Sequence, residues 1–174
     1  KPHLVWEGDD GAVRTVSYAE LDRDVCKLAN ALKKIGITKG DTIGIYMPMV
    51  PEIVTAFFAC LKIGAVIIPV FSGFGARALA DRLQDAEAKV LFTADAGLRR
   101  GKRIPVKQET DIAAEGVPSL QKVVVFQRLG IDVPMKPGRD VFWKDFVNNE
   151  SGKCPTEILD AEDYSIIIYT SGTT

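Results

Sequence analysis

The residues best suited to chemistry come last in the chain, where an apolar run changes abruptly into small hydroxyl residues and glycine. Residues 165–169 read Ser-Ile-Ile-Ile-Tyr, and they are followed by Thr170, Ser171, Gly172, Thr173 and Thr174. Glycine permits a tight turn, and hydroxyls together with backbone N–H groups can surround an anion. The segment is not a Walker A loop, because the pattern G-x-x-x-x-G-K-[ST] is absent. Composition alone favours an ordinary turn, whereas the position directly after an apolar strand predicts a phosphate-binding loop.

A second candidate is the segment 95–102, in which positive charges surround a glycine. Four cations, one of them just after the segment, surround its second glycine: the five residues are Arg99, Arg100, Gly101, Lys102 and Arg103. Arginine binds phosphate groups through paired hydrogen bonds, so a flexible basic loop here could hold a phosphorylated ligand. Taken on the residues alone, a solvated surface loop is the more economical interpretation.

A third candidate is the glycine-rich stretch 71–75, which contains Gly73 and lies between a predicted strand and a predicted helix. The N-terminus of that helix could bind an anion. Turns of this kind are also routine connections in α/β proteins.

The bulk composition narrows the class of protein. The 174 residues carry a formal net charge of -1, which argues against a nucleic-acid or membrane-surface protein. No apolar run reaches the length needed to span a bilayer. The three cysteines are widely spaced and His3 is the single histidine, so a structural zinc site is not expected. Cys26 and Cys60 lie in apolar helical patterns and are predicted to be buried, reduced thiols of a cytoplasmic protein.

Strands and helices are predicted to alternate along most of the chain. We expect strands at 13–16, 42–47, 65–70, 90–93, 123–126 and 165–169, and helices from Ser17 to Gly36 and at 51–63, 76–86, 108–114 and 141–148. Ser17 and Glu20 form a capping-box pattern at the first helix. The strands are short, apolar and rich in β-branched residues, which favours an α/β fold with a mainly parallel sheet and helices on both faces.

Several segments together resemble the adenylate-forming (AMP-binding) superfamily, which includes the acyl-CoA synthetases. Residues 169–174, Tyr-Thr-Ser-Gly-Thr-Thr, resemble the first half of its phosphate-binding motif. Residues 15–21 resemble the entry to an early helix of these enzymes. Four further segments resemble the acetyl-CoA synthetase branch in particular: residues 40–52, 64–74, 93–102 and 160–163. The resemblance covers essentially the whole chain.

The resemblance implies that residues 1–174 are part of the large N-terminal domain of an acid–thiol ligase. The chain would end inside the phosphate loop, and the C-terminal domain and the catalytic residues would lie beyond Thr174. A small carboxylate, ATP with Mg²⁺, and coenzyme A would be the ligands, with no nucleic-acid or membrane partner. The isolated chain is therefore expected to be inactive.

The same resemblance assigns residues to ligands. The ATP phosphates would be held by Thr170, Ser171, Gly172, Thr173 and Thr174, and CoA by Arg99, Arg100, Gly101, Lys102 and Gly73. No catalytic or metal-ligating residue is expected within the chain. Two alternatives stay open: an adenylating enzyme that delivers to a carrier-protein thiol, and a non-catalytic nucleotide-binding domain.

Overall fold

The computed structural model describes residues 1–170. The strands in this range are β1 (Pro2–Glu7), β2 (Val13–Ser17), β3 (Thr42–Ile45), β4 (Val66–Pro69), β5 (Val90–Ala94), β6 (Gly97–Arg99), β7 (Lys102–Ile104), β8 (Lys122–Phe126) and β9 (Asp140–Phe142). The helices are α1 (Tyr18–Lys34), α2 (Pro51–Lys62), α3 (Ala76–Asp85), α4 (Val106–Ala114) and α5 (Trp143–Phe146).

A five-stranded parallel sheet organises the fold, with strand order β4-β3-β5-β8-β9. Its buried side chains alternate between two hydrophobic clusters. Phe92 faces the cluster that contains the apolar faces of α1 and α2. Leu91, the preceding residue, faces the cluster that contains Leu79 and Leu83 of α3. The predicted α/β fold with helices on both faces of a mainly parallel sheet is therefore confirmed.

The first helix shows how closely local sequence can specify structure. Ser17 and Glu20 form the predicted capping box, in which the Ser17 N–H donates to the Glu20 carboxylate at 2.8 Å. Gly36 follows the helix with φ of +88°, the left-handed conformation that favours glycine. Cys26 and Cys60 are buried free thiols, as predicted.

The two strand pairs outside the central sheet were not fully predicted. β1 was missed, and it pairs antiparallel with β2. The segment predicted as a basic loop is instead a hairpin, β6–β7, whose two-residue turn is Arg100 at φ +51° and Gly101 at φ +71°. Two consecutive left-handed residues are typical of a type I′ turn, whose twist matches that of paired strands.

The segment 141–148 was predicted as a short helix, and this is only partly right. Residues Asp140–Phe142 form β9, which pairs in parallel with β8, and the helix is confined to Trp143–Phe146. Three residues carry too little pattern to predict a strand, because the hydrogen-bonding partner that defines it is distant in sequence.

The prediction of a buried strand at 165–169 is wrong. This segment makes a single parallel bridge, between Ile166 and Ile67 of β4, and Ile168 is 66% exposed. Among residues 1–170, its hydrogen-bonding partner in the sheet is Ile67, which donates to the carbonyl of Ser165 and accepts from the N–H of Ile167. In residues 1–170, no helix is both long and apolar enough to cross a membrane.

Candidate functional site

The carboxyl ends of the parallel strands β3, β4 and β8 meet the β1–β2 and β6–β7 hairpins around a cleft of about 270 Å³. Ligands of open α/β sheets bind at this edge. The side chains and backbone that line the cleft include Trp6, Met49, Phe71, Ser72, Gly73, Arg99 and Arg128.

Two residues singled out from the sequence meet in this cleft. Gly73 lies in the turn after β4, and Arg99 lies at the end of β6 with its guanidinium 5.5 Å from the centre of the Phe71 ring. A Cβ at Gly73 would lie 2.4 Å from Cε1 of Phe71, so a side chain there would have to displace the exposed Phe71 ring. An exposed cation therefore stands beside a stretch of backbone that a ligand can approach closely.

The turn 71–75 is held from both sides. The buried Tyr46 hydroxyl donates to the carbonyl of Phe74 at 2.6 Å, and burial, with a further contribution from Glu109, raises the pKa of Tyr46 to about 12. The Glu109 carboxylate of α4 accepts from the N–H of Ala76 at 2.6 Å. An internal carboxylate thus takes the place at the start of α3 where the sequence suggested an external anion.

The remaining members of the basic segment do not line the cleft. Arg100, Gly101 and Lys102 are exposed at the tip of the β6–β7 hairpin. Lys102 is the cross-strand partner of Arg99, so the two side chains project from the same face of the hairpin. The N–H of Gly101 donates to Oδ2 of Asp9 at 3.1 Å, which ties the tip to the β1–β2 turn.

The predicted phosphate loop begins at Thr170 and otherwise lies outside the described residues, since Ser171, Gly172, Thr173 and Thr174 come after residue 170. The Tyr169 hydroxyl donates to the Asp85 carboxylate at 2.5 Å, and burial together with this contact raises the pKa of Tyr169 to about 12. The chain runs parallel to β4 here. Thr170 is therefore directed to the same edge of the sheet as the cleft.

A larger cavity, of about 720 Å³, lies elsewhere, between α4 and residues 131–139. Its buried charges are already paired, because the Lys107 ammonium contacts Asp111 at 2.7 Å and Asp140 at 3.0 Å. Residues 1–170 contain no group of three or more His, Cys, Asp or Glu side chains arranged to hold a metal ion. We regard the smaller cleft as the candidate site, because its position and its exposed Arg99 suit an anionic ligand.

The sequence did not reveal the residues that hold together the loops after β5 and β8, at the edge of the sheet where the cleft lies. Asp95 is 2% exposed and accepts backbone hydrogen bonds from Ala96, Arg128, Leu129 and Ile131. The guanidinium of Arg128 lies 5.0 Å from the centre of the Trp6 ring. The available signal was their position, since each polar residue follows soon after the end of an apolar strand.

The sequence of this chain is similar to those of several known enzymes. A model of the family "AMP-binding enzyme" matches residues 1–174. The chain is 48% identical to the acetyl-coenzyme A synthetase of Rubrobacter xylanophilus, over 100% of this chain and 27% of that protein. It is 50% identical to the acetyl-coenzyme A synthetase of Methanothrix thermoacetophila, over 94% of this chain and 25% of that protein.

A solved structure is also similar to this chain. Acetoacetyl-CoA synthetase from Streptomyces lividans matches with a TM-score of 0.91 and 29% identity, over 99% of this chain and 26% of that chain. The chain thus spans about a quarter of the length of the relatives it matches. Because the model of the AMP-binding enzyme family matches the whole chain, and a solved relative shares its fold, the chain belongs to the AMP-binding enzyme family.

Proposed function

We propose that this chain is the N-terminal part of an acid–CoA ligase that uses ATP to activate acetate or another short-chain carboxylate. One structural observation carries the proposal: Gly73 and Arg99 line one cleft, at the sheet edge to which Thr170 is directed. The names of the relatives, acetyl-coenzyme A synthetases at 48% and 50% identity, support the choice of acid and thiol.

In the first step, the carboxylate attacks the α-phosphate of Mg·ATP, giving an acyl-adenylate and pyrophosphate. Residues 170–174 supply hydroxyls and backbone N–H groups that hold the β- and γ-phosphates. Positioned donors of this kind stabilise charge that develops on the transferred phosphoryl group. Residues that contact adenine and the acyl group belong to the rest of the full-length protein.

In the second step, the CoA thiol attacks the acyl carbonyl and AMP leaves. Arg99 and Lys102, on one face of the β6–β7 hairpin, attract the phosphates at the nucleotide end of CoA. Arg100 and Gly101 form the turn that shapes this hairpin. Gly73 leaves room for the narrow thiol-bearing arm to pass close to the backbone.

The basic hairpin favours CoA over a carrier-protein thiol as the acceptor. Arg99 lines the cleft, and Arg100 and Lys102 add positive charge at the tip of the same hairpin. CoA carries phosphates both along its arm and at its nucleotide end, so it uses such charge more fully than a carrier arm does. A soluble cytoplasmic enzyme fits this chemistry, because ATP and CoA are both intracellular.

The 174-residue chain by itself is expected to catalyse neither step, because the acyl pocket and the C-terminal domain are supplied by the full-length protein. ATP-dependent acyl-CoA formation by the chain alone, at a rate above the buffer control, would refute this expectation.

The proposal is tested on the full-length protein by ATP–pyrophosphate exchange with straight-chain acids from acetate to octanoate, followed by addition of CoA. Exchange with acetate or propionate, and acyl-CoA after CoA is added, is the expected result. Exchange without acyl-CoA would favour delivery to a carrier protein. No exchange with any acid would contradict an acid–CoA ligase of this class and favour a non-catalytic domain.

A further inference from the structure

A cluster of contacts along one wall of the cleft joins the central sheet to the tip of the basic hairpin. Its centre is the turn between β1 and β2, residues 8–11, which we call the acidic turn because it contains Asp9 and Asp10. Arg128, just after β8, donates through Nη2 to Oδ2 of Asp10 at 2.8 Å. On the other side of the turn, Asp9 Oδ2 accepts from the N–H of Gly101 at 3.1 Å.

Arg128 is well placed to anchor this turn because it is itself fixed. Its own N–H donates to the buried Asp95 carboxylate at 2.8 Å, and its side chain is only 16% exposed. The guanidinium lies 5.0 Å from the centre of the Trp6 ring, at the end of β1. A partly buried guanidinium with a carboxylate and an aromatic partner has little freedom to move.

The junction between Arg128 and the acidic turn is tightly packed. A Cβ at Gly8 would lie 2.4 Å from Oδ1 of Asp10, 2.6 Å from Cη2 of Trp6 and 3.0 Å from Nη2 of Arg128. These distances are too short for any side chain, so the contacts around Gly8 depend on the absence of a Cβ. The position of the acidic turn is therefore coupled to the position of Arg128.

Resting on the proposed function, we infer that Arg128 is a positioning residue for CoA binding. It holds Asp10, the acidic turn holds Asp9 at the N–H of Gly101, and this contact fixes the hairpin that carries Arg99 and Lys102. In this role Arg128 acts through the hairpin, because its guanidinium is held by Asp10 and by the Trp6 ring.

The sign of one substitution separates positioning from simple electrostatics. Asp9 is negatively charged and lies beside the proposed phosphate site. If its only effect were on the local potential, Asp9→Asn would strengthen CoA binding. If Asp9 holds the hairpin, the same change weakens CoA binding, because the acceptor of the Gly101 N–H becomes a weaker one.

The test uses the full-length protein with the variants Arg128→Gln and Asp9→Asn, and Arg14→Gln as a matched control. Arg14 belongs to the same hairpin, β1–β2, and also makes an ion pair with another element, at 2.9 Å to Glu52 of α2. The measurements are KM for CoA, the rate of ATP–pyrophosphate exchange without CoA, and hydrogen–deuterium exchange of peptides that span residues 97–104.

We expect Arg128→Gln and Asp9→Asn each to raise KM for CoA by about tenfold, which corresponds to one weakened charged contact. Pyrophosphate exchange should stay within about twofold of the unaltered protein, hydrogen exchange at 97–104 should speed up in both variants, and Arg14→Gln should change none of these. The KM for CoA of the double variant should be no higher than that of the more impaired single variant, because both changes break one chain of contacts.

A fall in KM for CoA in Asp9→Asn, or unchanged hydrogen exchange at 97–104 in Arg128→Gln, would overturn the inference. Failure of the proposed function gives a different result: the unaltered protein would form no acyl-CoA, or Arg99→Gln would leave KM for CoA unchanged. Hydrogen exchange would then still report whether Arg128 holds the hairpin.

Discussion

Replacing Asp95 with asparagine tests whether the buried carboxylate after β5 organises the sheet edge. Oδ1 accepts from the N–H groups of Ala96 at 2.7 Å and Arg128 at 2.8 Å. Oδ2 accepts from those of Leu129 and Ile131, both at 3.1 Å, and the N–H of Leu129 also reaches Oδ1 at 3.2 Å. In Asp95→Asn one of these oxygens becomes an NH₂ group, which donates and cannot accept.

The cost follows from these contacts. With the amide oxygen in the place of Oδ1, the N–H of Ile131 loses its acceptor, at a cost of about 1–3 kcal/mol for an unsatisfied donor. The bonds that remain lose the charge on their acceptor, which weakens them by roughly 1 kcal/mol in total. Removing a buried charge offsets part of this. We therefore expect Asp95→Asn to lower the free energy of unfolding of the chain by about 2–3 kcal/mol.

Urea unfolding followed by circular dichroism measures this change, and hydrogen exchange locates it. The amides of Arg128, Leu129 and Ile131 should exchange faster in the variant. The matched control is Asp24→Asn, at an exposed ion pair with Arg23, which should cost less than about 0.5 kcal/mol. A loss below about 0.5 kcal/mol in Asp95→Asn would refute the reasoning, since the carboxylate would then contribute no more than an exposed one.

Three further variants test other parts of the fold. Burial on its own would raise the pKa of Asp140, but hydrogen bonds led by that from Arg139 hold the pKa below its usual value of 3.8. The stability that Asp140 contributes is therefore present above about pH 4 and is lost as the pH falls further. In urea unfolding measured from about pH 2.5 to 5, the free energy of unfolding of Asp140→Asn should therefore depend less steeply on pH than that of the unaltered chain. Gly101→Ala, at φ +71° with open space around it, should cost about 1 kcal/mol of stability in thermal unfolding, because the strain is in the backbone. Tyr46→Phe removes the hydrogen bond to Phe74 and should cost about 1 kcal/mol and speed hydrogen exchange at residues 71–75. Each of these predictions would be contradicted by a variant that behaves like the unaltered chain in the stated measurement.

Local chemistry specified part of this structure well. The capping box at Ser17, the glycine that follows α1 and the proline that begins α2 are short-range signals, and each marks a boundary that the structure has. The runs of β-branched residues likewise predicted the parallel strands, because strands buried on both faces need apolar side chains on both.

The sequence was least informative where distant residues decide the outcome. β9 exists because β8 provides its hydrogen-bonding partner, and the segment after Tyr164 is no regular strand because it bonds to β4 at one residue only. The contacts of Asp95, Arg128 and Asp9 join residues more than 30 positions apart. A pattern read along the chain carries no signal for such contacts, and it was the family resemblance, not a local pattern, that predicted one ligand for Gly73 and Arg99.

The central claim, that the cleft with Arg99 takes part in CoA binding by the full-length protein, is tested most directly by Arg99→Gln. The measurement is KM for CoA, compared with the rate of ATP–pyrophosphate exchange in the absence of CoA, and Arg23→Gln on the exposed face of α1 is the control. We expect Arg99→Gln to raise KM for CoA about tenfold and to leave pyrophosphate exchange unchanged, because the substitution removes one charged contact to CoA and none to ATP. An unchanged KM for CoA in Arg99→Gln, or an equal rise in Arg23→Gln, would contradict the central claim.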